Sequence, residues 1–161
     1  MRQVQHAVES SIGKLFLTAT DQGVTGLYWE PQPHPMLSLT QDLTPSARIL
    51  ISISEQLEEY FSGRRKTFEV AIHPQGTEFQ RRVWAELSRI PYGETVSYAY
   101  IANRIGSTNA VRAVGSANGR NPLCIIVPCH RVINSSGSLG GYSGGLEVKT
   151  KLLELEKSFR S

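Results

Sequence analysis

Cysteine is scarce in this chain: 161 residues hold only Cys124 and Cys129, with none earlier. That count rules out a disulfide scaffold of the kind that staples small secreted chains. If the segment joining the two cysteines is extended, their Cα atoms lie roughly 16 Å apart and their side chains face opposite ways. A disulfide needs Cα atoms about 4.4–6.8 Å apart, so free thiols in an intracellular chain are expected. Long apolar runs are also missing. The longest, Leu123 to Cys129, is far too short to cross a bilayer, and the N-terminus carries no apolar signal segment, so no membrane partner is expected and the location expected is cytoplasmic. Internal repeats and low-complexity tracts are absent, which excludes solenoids. Hydrophobic residues at 40% against 19% charged argue for a folded core.

Acidic residues are few in one half. Residues 1–74 carry six Lys/Arg and eight Asp/Glu, whereas 75–161 carry eleven and six, so the net charge of +3 divides as −2 and +5. Basicity confined to one half suits a polyanion, and scattered surface charge is the plainer alternative. A composition shift at His73-Pro74-Gln75-Gly76 places a domain boundary there, giving domains 1–74 and 75–161.

Before that boundary, Gln3 to Glu9, Lys14 to Thr20 and Val24 to Trp29 read as a three-stranded meander broken at Ser11–Gly13 and Asp21–Gly23. Three alternating prolines, Pro31, Pro33 and Pro35, end the sheet, leaving His34 as a loop residue. Pro45 to Phe61 has helical spacing stopped by Gly63, and Thr67 to Ile72 is read as a returning strand. After the boundary come helices over about 77–88, 97–105 and 109–118, the last two joined through Gly106-Ser107-Thr108 at helix-turn-helix spacing. On the 109–118 helix, Ala110, Val111, Val114 and Ala117 share one side. Arg112, Ala113, Gly115 and Ser116 form the other: one long cation among very small neighbours, fit for close approach to a partner or a solvated Arg on a tightly packed helix.

The candidate chemistry follows the apolar run as Pro128-Cys129-His130-Arg131-Val132. Proline ends a ladder, and a thiol beside an imidazole can become a nucleophilic thiolate, although most Cys-His neighbours are structural. The closing helix sets Leu146, Val148, Leu152, Leu153 and Leu155 on its apolar face with Glu156 in the middle. A carboxylate there must be paired. His130 is the natural candidate; the plainer alternatives are a salt bridge to Lys149 on the same face or a frayed end near Lys157.

These residues resemble the O6-alkylguanine-DNA alkyltransferases. Pro128-Cys-His-Arg-Val132 matches the family's active-site motif, with further likeness at Phe79, Ile90-Pro-Tyr-Gly93, Arg112-Ala-Val-Gly115, Asn121-Pro122, Tyr142-Ser-Gly-Gly145 and Glu156. The resemblance implies an α/β chain: an N-terminal antiparallel sheet with helix (ribonuclease H-like), and a mostly helical C-terminal domain with a helix-turn-helix and active-site loop. It implies irreversible transfer of an alkyl group from O6-alkylguanine, and O4-alkylthymine, in double-stranded DNA to Cys129, with no cofactor. His130 would relay the thiol proton through a water, Glu156 would hold His130, Asn121 would brace the loop, and Tyr98 would donate toward the leaving guanine. The pocket would include Val132, Tyr142, Ser143 and Gly144, with the Cys129 and Val132 carbonyls accepting from the base. Arg112 would enter the minor groove and fill the gap left by the extruded nucleotide, with Ala113, Gly115, Ser116 and Tyr98 at the DNA. With no cysteine before Cys124, the zinc sites of some members are not expected, nor is an appended regulatory domain; a monomer is. Rival readings are a DNA-binding module without chemistry and a cysteine hydrolase.

Overall fold

Short runs rich in apolar and β-branched residues, separated by tight turns, give β1 (Val4–Ser10), β2 (Gly13–Thr20) and β3 (Gly23–Tyr28), an antiparallel sheet in the order β1-β2-β3. The chain, a computed structural model, is described over residues 2–39 and 44–160 and divides into two units, Met1–Gln75 and Gly76–Ser161. In the first unit β2 pairs Leu17 with His6 on one side and with Leu27 on the other. Helix α1 (Pro45–Phe61) packs on it. Thr44 caps α1 by accepting from the Ala47 amide at 3.3 Å, and Pro45 takes the first turn, where its missing N–H costs nothing. The helical spacing of Leu50, Ile53, Leu57 and Tyr60 puts all four in the core with Leu15 and Leu17, each such side chain contributing about 1.5–3 kcal/mol by burial.

Two readings of this unit need correction. Residues 67–72 do not form a strand: only Ile72 bridges to Val24, through Val24 N–H to Ala71 O (2.9 Å) and His73 N–H to Val24 O (2.8 Å). The Gln56 side chain of α1 captures the backbone that a ladder would have used, accepting from Glu69 N (2.8 Å) and donating to Glu69 O (3.0 Å). The proline run ends β3 but does not leave the sheet. Gln5 N–H donates to Pro35 O and Leu37 N–H to Gln5 O, both at 2.9 Å, so the bridge uses atoms that proline's missing N–H does not affect. His34 is a loop residue whose carbonyl accepts from the Gln5 side chain at 2.7 Å.

In the second unit Thr77 and Gln80 form a reciprocal capping box that starts α2 (Glu78–Leu87). The two-residue strand β4 (Val96–Ser97) leads directly into α3 (Tyr98–Arg104), which Ser97 caps by accepting from Tyr100 N at 3.0 Å. Helix α4 (Val111–Gly119) follows after the turn at 105–110, completing the helix-turn-helix. Trp84 of α2 ties to it by donating from Nε1 to Ala117 O at 2.8 Å. A single 3-10 turn (Cys129–Arg131) runs into β5 (Val132–Ile133), parallel to β4, and α5 (Leu146–Ser158) closes the unit. The mixed α/β class implied by the sequence is the class observed. No helix among the described residues is long and apolar enough to cross a membrane.

Candidate active site

The segment before the reactive motif is a folded-back loop, which overturns the extended geometry expected of it. Asn121 accepts from Leu123 N (3.0 Å) and donates from Nδ2 to Val127 O (2.8 Å), while Val127 N–H closes onto Leu123 O (2.8 Å). Ile125 takes a left-handed backbone, φ 76°, a conformation costly for a β-branched residue that the surrounding hydrogen bonds hold in place. With Asn121 serving in place of a neighbouring strand, the chain doubles back. Cys124 does not face away from Cys129: their Sγ atoms are 3.8 Å apart, both buried.

Behind the loop, His130 is fully buried and its Nε2 lies 2.7 Å from Glu156 Oε2. Arg131 grips the same carboxylate with two prongs, Nε to Oε1 at 2.8 Å and Nη2 to Oε2 at 2.9 Å. Its Nη1 reaches Ile90 O at 2.8 Å, and the guanidinium lies over the Tyr92 ring. Sequence reading chose His130 correctly as a partner and missed Arg131; the signal was a motif cation needing an anion of its own. The Lys149 alternative fails. Lys149 shares the apolar face of α5 with Glu156 but donates to Val132 O (2.7 Å), Gly141 O (3.2 Å) and Leu139 O, pinning the 139–141 loop. Leu146, placed on that apolar face, is in fact exposed.

Electrostatics follow from these contacts. Burial alone would raise the Glu156 carboxyl, but hydrogen bonds from His130 and Arg131 outweigh it and hold it well below the usual range. Burial lowers His130, against the pull of Glu156, so the imidazole is neutral near pH 7. Its Nδ1 has no hydrogen-bond partner among the described residues. Of the two thiols, Cys129 is pushed up by its hydrogen bond to Cys124 and by burial, while Cys124, receiving that bond, is lowered to about 7. The adjacent pair therefore yields one proton readily and resists losing the second.

A cleft of about 530 Å³ opens beside this centre, walled by Tyr98, Val111, Arg112, Gly115, Asn118, Gly140, Tyr142 and Ser143 among others. Ser143 Oγ lies 3.2 Å from Cys124 Sγ, so the thiol pair sits just beneath that wall. Tyr98 is raised by burial and by the charge Cys129 can carry. At Gly140, φ 73°, a Cβ would stand 2.8 Å from the Tyr98 hydroxyl, so only glycine lets the loop approach there. Ala113 and Ser116 are exposed on α4, and Val111, assigned to the packed side, is exposed at the cleft. Val132 and Gly144 do not line the cleft: Val132 is wholly buried with its carbonyl taken by Lys149, and the Cys129 carbonyl accepts from Asn118 Nδ2 at 3.4 Å.

Both halves of the chain match known families. Residues 4–74 match the 6-O-methylguanine DNA methyltransferase ribonuclease-like domain, and residues 78–158 the DNA binding domain of the same name. The methylated-DNA–protein-cysteine methyltransferase of Methanosarcina mazei is 45% identical over 153 residues, covering 95% of this chain and 96% of its own. That of Mycobacterium bovis is 48% identical, covering 94% and 90%. A crystal structure of Mycobacterium tuberculosis OGT in complex with DNA superposes with a TM-score of 0.87 at 42% identity, covering 97% of this chain and 94% of that one. With two models matched in order and identity this high over nearly its full length, the chain belongs to the 6-O-methylguanine DNA methyltransferase family.

Proposed function

We propose that the chain repairs DNA directly, transferring an alkyl group from guanine O6, and from thymine O4, irreversibly onto Cys129 Sγ. The observation that carries this reading is the placement of Cys129 next to the buried His130–Glu156 pair and beneath a cleft walled by Tyr98, Ser143 and Arg112. In the step, the Cys129 sulfur forms a bond to the alkyl carbon as the carbon–O6 bond breaks, leaving the electron pair on the guanine. The thiol proton passes through a water to His130, whose Nδ1 has no other partner among the described residues. The imidazolium so formed is stabilised by Glu156, which Arg131 keeps ionised. Tyr98 donates toward the base as it gains charge, Tyr142 and Ser143 border the base, and Asn121 holds the loop. Val132 and Gly144 would shape the pocket from behind its wall. This chemistry needs no cofactor.

A stacked guanine is out of reach of a buried thiol, so the nucleotide must be rotated out of the duplex. Arg112, Ala113, Gly115 and Ser116 on α4 suit close backbone approach to the minor groove, with Arg112 filling the gap. Residues 75–161 would then hold both DNA contact and alkyl acceptor, in a monomer acting in the cytoplasm.

Stoichiometry tests the reading. A thioether is too stable for water to cleave, so with O6-methylguanine DNA in tenfold excess each chain should gain one methyl, on the peptide holding Cys129. Cys129→Ser should still bind that DNA and accept nothing. Turnover beyond one methyl per chain would favour a hydrolase, and binding without any mass gain a module that only recognises damage.

A further inference from the structure

The alkyl transfer proposed above assigns no step to the second thiol, Cys124. It touches Cys129 across 3.8 Å between sulfurs and Ser143 of the cleft wall across 3.2 Å. The two cysteines sit at the ends of a turn whose shape is fixed by Asn121 and by the Val127–Leu123 backbone bond, so their proximity is built in. A disulfide bond is about 2.05 Å long, and an approach of under about 2 Å would close it. We propose that Cys124 and Cys129 are an oxidative modification site: a peroxide converts them to an intrachain disulfide that masks the acceptor thiol reversibly.

The balance is complete. The Cys124 sulfur attacks the peroxide and breaks the O–O bond, releasing hydroxide and leaving a sulfenic acid. The Cys129 sulfur then attacks the Cys124 sulfur, the S–O bond breaks, and hydroxide leaves again. Two thiols lose two electrons, their protons make two waters with the hydroxides, and the peroxide is reduced. Cys124 is the fitting first nucleophile because it lies under the cleft wall and, with its proton lost at about 7, is part thiolate at neutral pH. The consequence is protective: a chain that works once would keep its acceptor sulfur from irreversible sulfinic acid until a reductant returns it.

The masking consequence rests on Cys129 being the alkyl acceptor; the disulfide itself does not. The full chain, without DNA, is treated with graded hydrogen peroxide, blocked with iodoacetamide and digested with trypsin without reductant. Peptide 121–131 carries both cysteines, and it should appear unblocked and two hydrogens lighter, returning to two free thiols with dithiothreitol. Wild type should then regain methyl acceptance. Cys124→Ser and Cys124→Ala, each active when reduced, should instead drift to Cys129 sulfinic acid and recover severalfold less. A chain methylated beforehand should keep one free thiol and form no link. Loss of a single thiol per chain, links only between chains, or equal recovery in both variants would overturn the proposal. An untreated chain that accepts no methyl would sink the repair reading while leaving the linked peptide to be judged by its mass.

Discussion

Glu156 shows what a single buried residue must satisfy. It holds His130 on one oxygen and shares both with Arg131, so its charge is compensated twice inside the protein. Replacing it with glutamine keeps the shape but removes the charge that stabilises protonated His130, and alkyl transfer should slow on the order of 10²-fold at neutral pH. The same change leaves Arg131 buried without an anion, and breaking such a pair costs about 3–5 kcal/mol. Rates should therefore be measured on the fraction shown to be folded by denaturant titration. An unchanged rate and pH profile in that fraction would reduce Glu156 to an anchor for Arg131.

At the scale of elements, α4 joins the interior to the cleft. Val114 and Ala117 are buried and Trp84 binds the Ala117 carbonyl, while Arg112, Ala113 and Ser116 face outward. If Arg112 supports the extruded nucleotide, Arg112→Ala should slow repair of duplex DNA by a factor on the order of 10–100, corresponding to a few kcal/mol of unstacking left unaided. Reaction with free O6-benzylguanine should hardly change, because a free base needs no extrusion. Equal losses on both substrates would refute the role.

Over the whole molecule, charge and acid sensitivity follow from where ions lie. Of the eleven cations in residues 75–161, Arg131 and Lys149 are buried and bonded internally; the other nine are exposed, with Arg89, Arg104 and Lys151 paired to Glu86 or Glu147. DNA affinity should fall with salt, log K dropping by about 0.9 for each phosphate neutralised against log salt; a flat response in a binding titration would contradict the DNA reading. Stability should fall with acid for two reasons of the same sign. His130 is held neutral in the fold below the ordinary imidazole value, so the unfolded chain gains a proton first as pH drops below roughly 6.5. Glu156 stabilises the fold fully above the free carboxyl value, and that contribution disappears as pH falls below roughly 4.3. Thermal melts between pH 8 and 3 should show a shallow decline followed by a steeper one, and a Tm that rose on acidification would refute both assignments.

Sequence alone determined the meander, α1, the capped starts of α2 and α3, and the reactive motif, because local periodicity, turn residues and caps act within a few positions. It also marked Glu156 as a charge that needed a partner, since its place on an apolar face is set by helical spacing. Only the tertiary structure decided which partner that was. His130 and Arg131 lie some 25 residues away, and Lys149, nearer in sequence, is drawn off by three carbonyls. The same limit applied to the cysteines: an apolar run reads as a strand, but a strand needs a neighbour, and here the Asn121 side chain supplied those hydrogen bonds and folded the run back. It applied again at 67–72, where Gln56 took the backbone that the sequence had promised to a ladder. Side chains that bond to distant backbone leave no periodic trace, and so they are settled by packing.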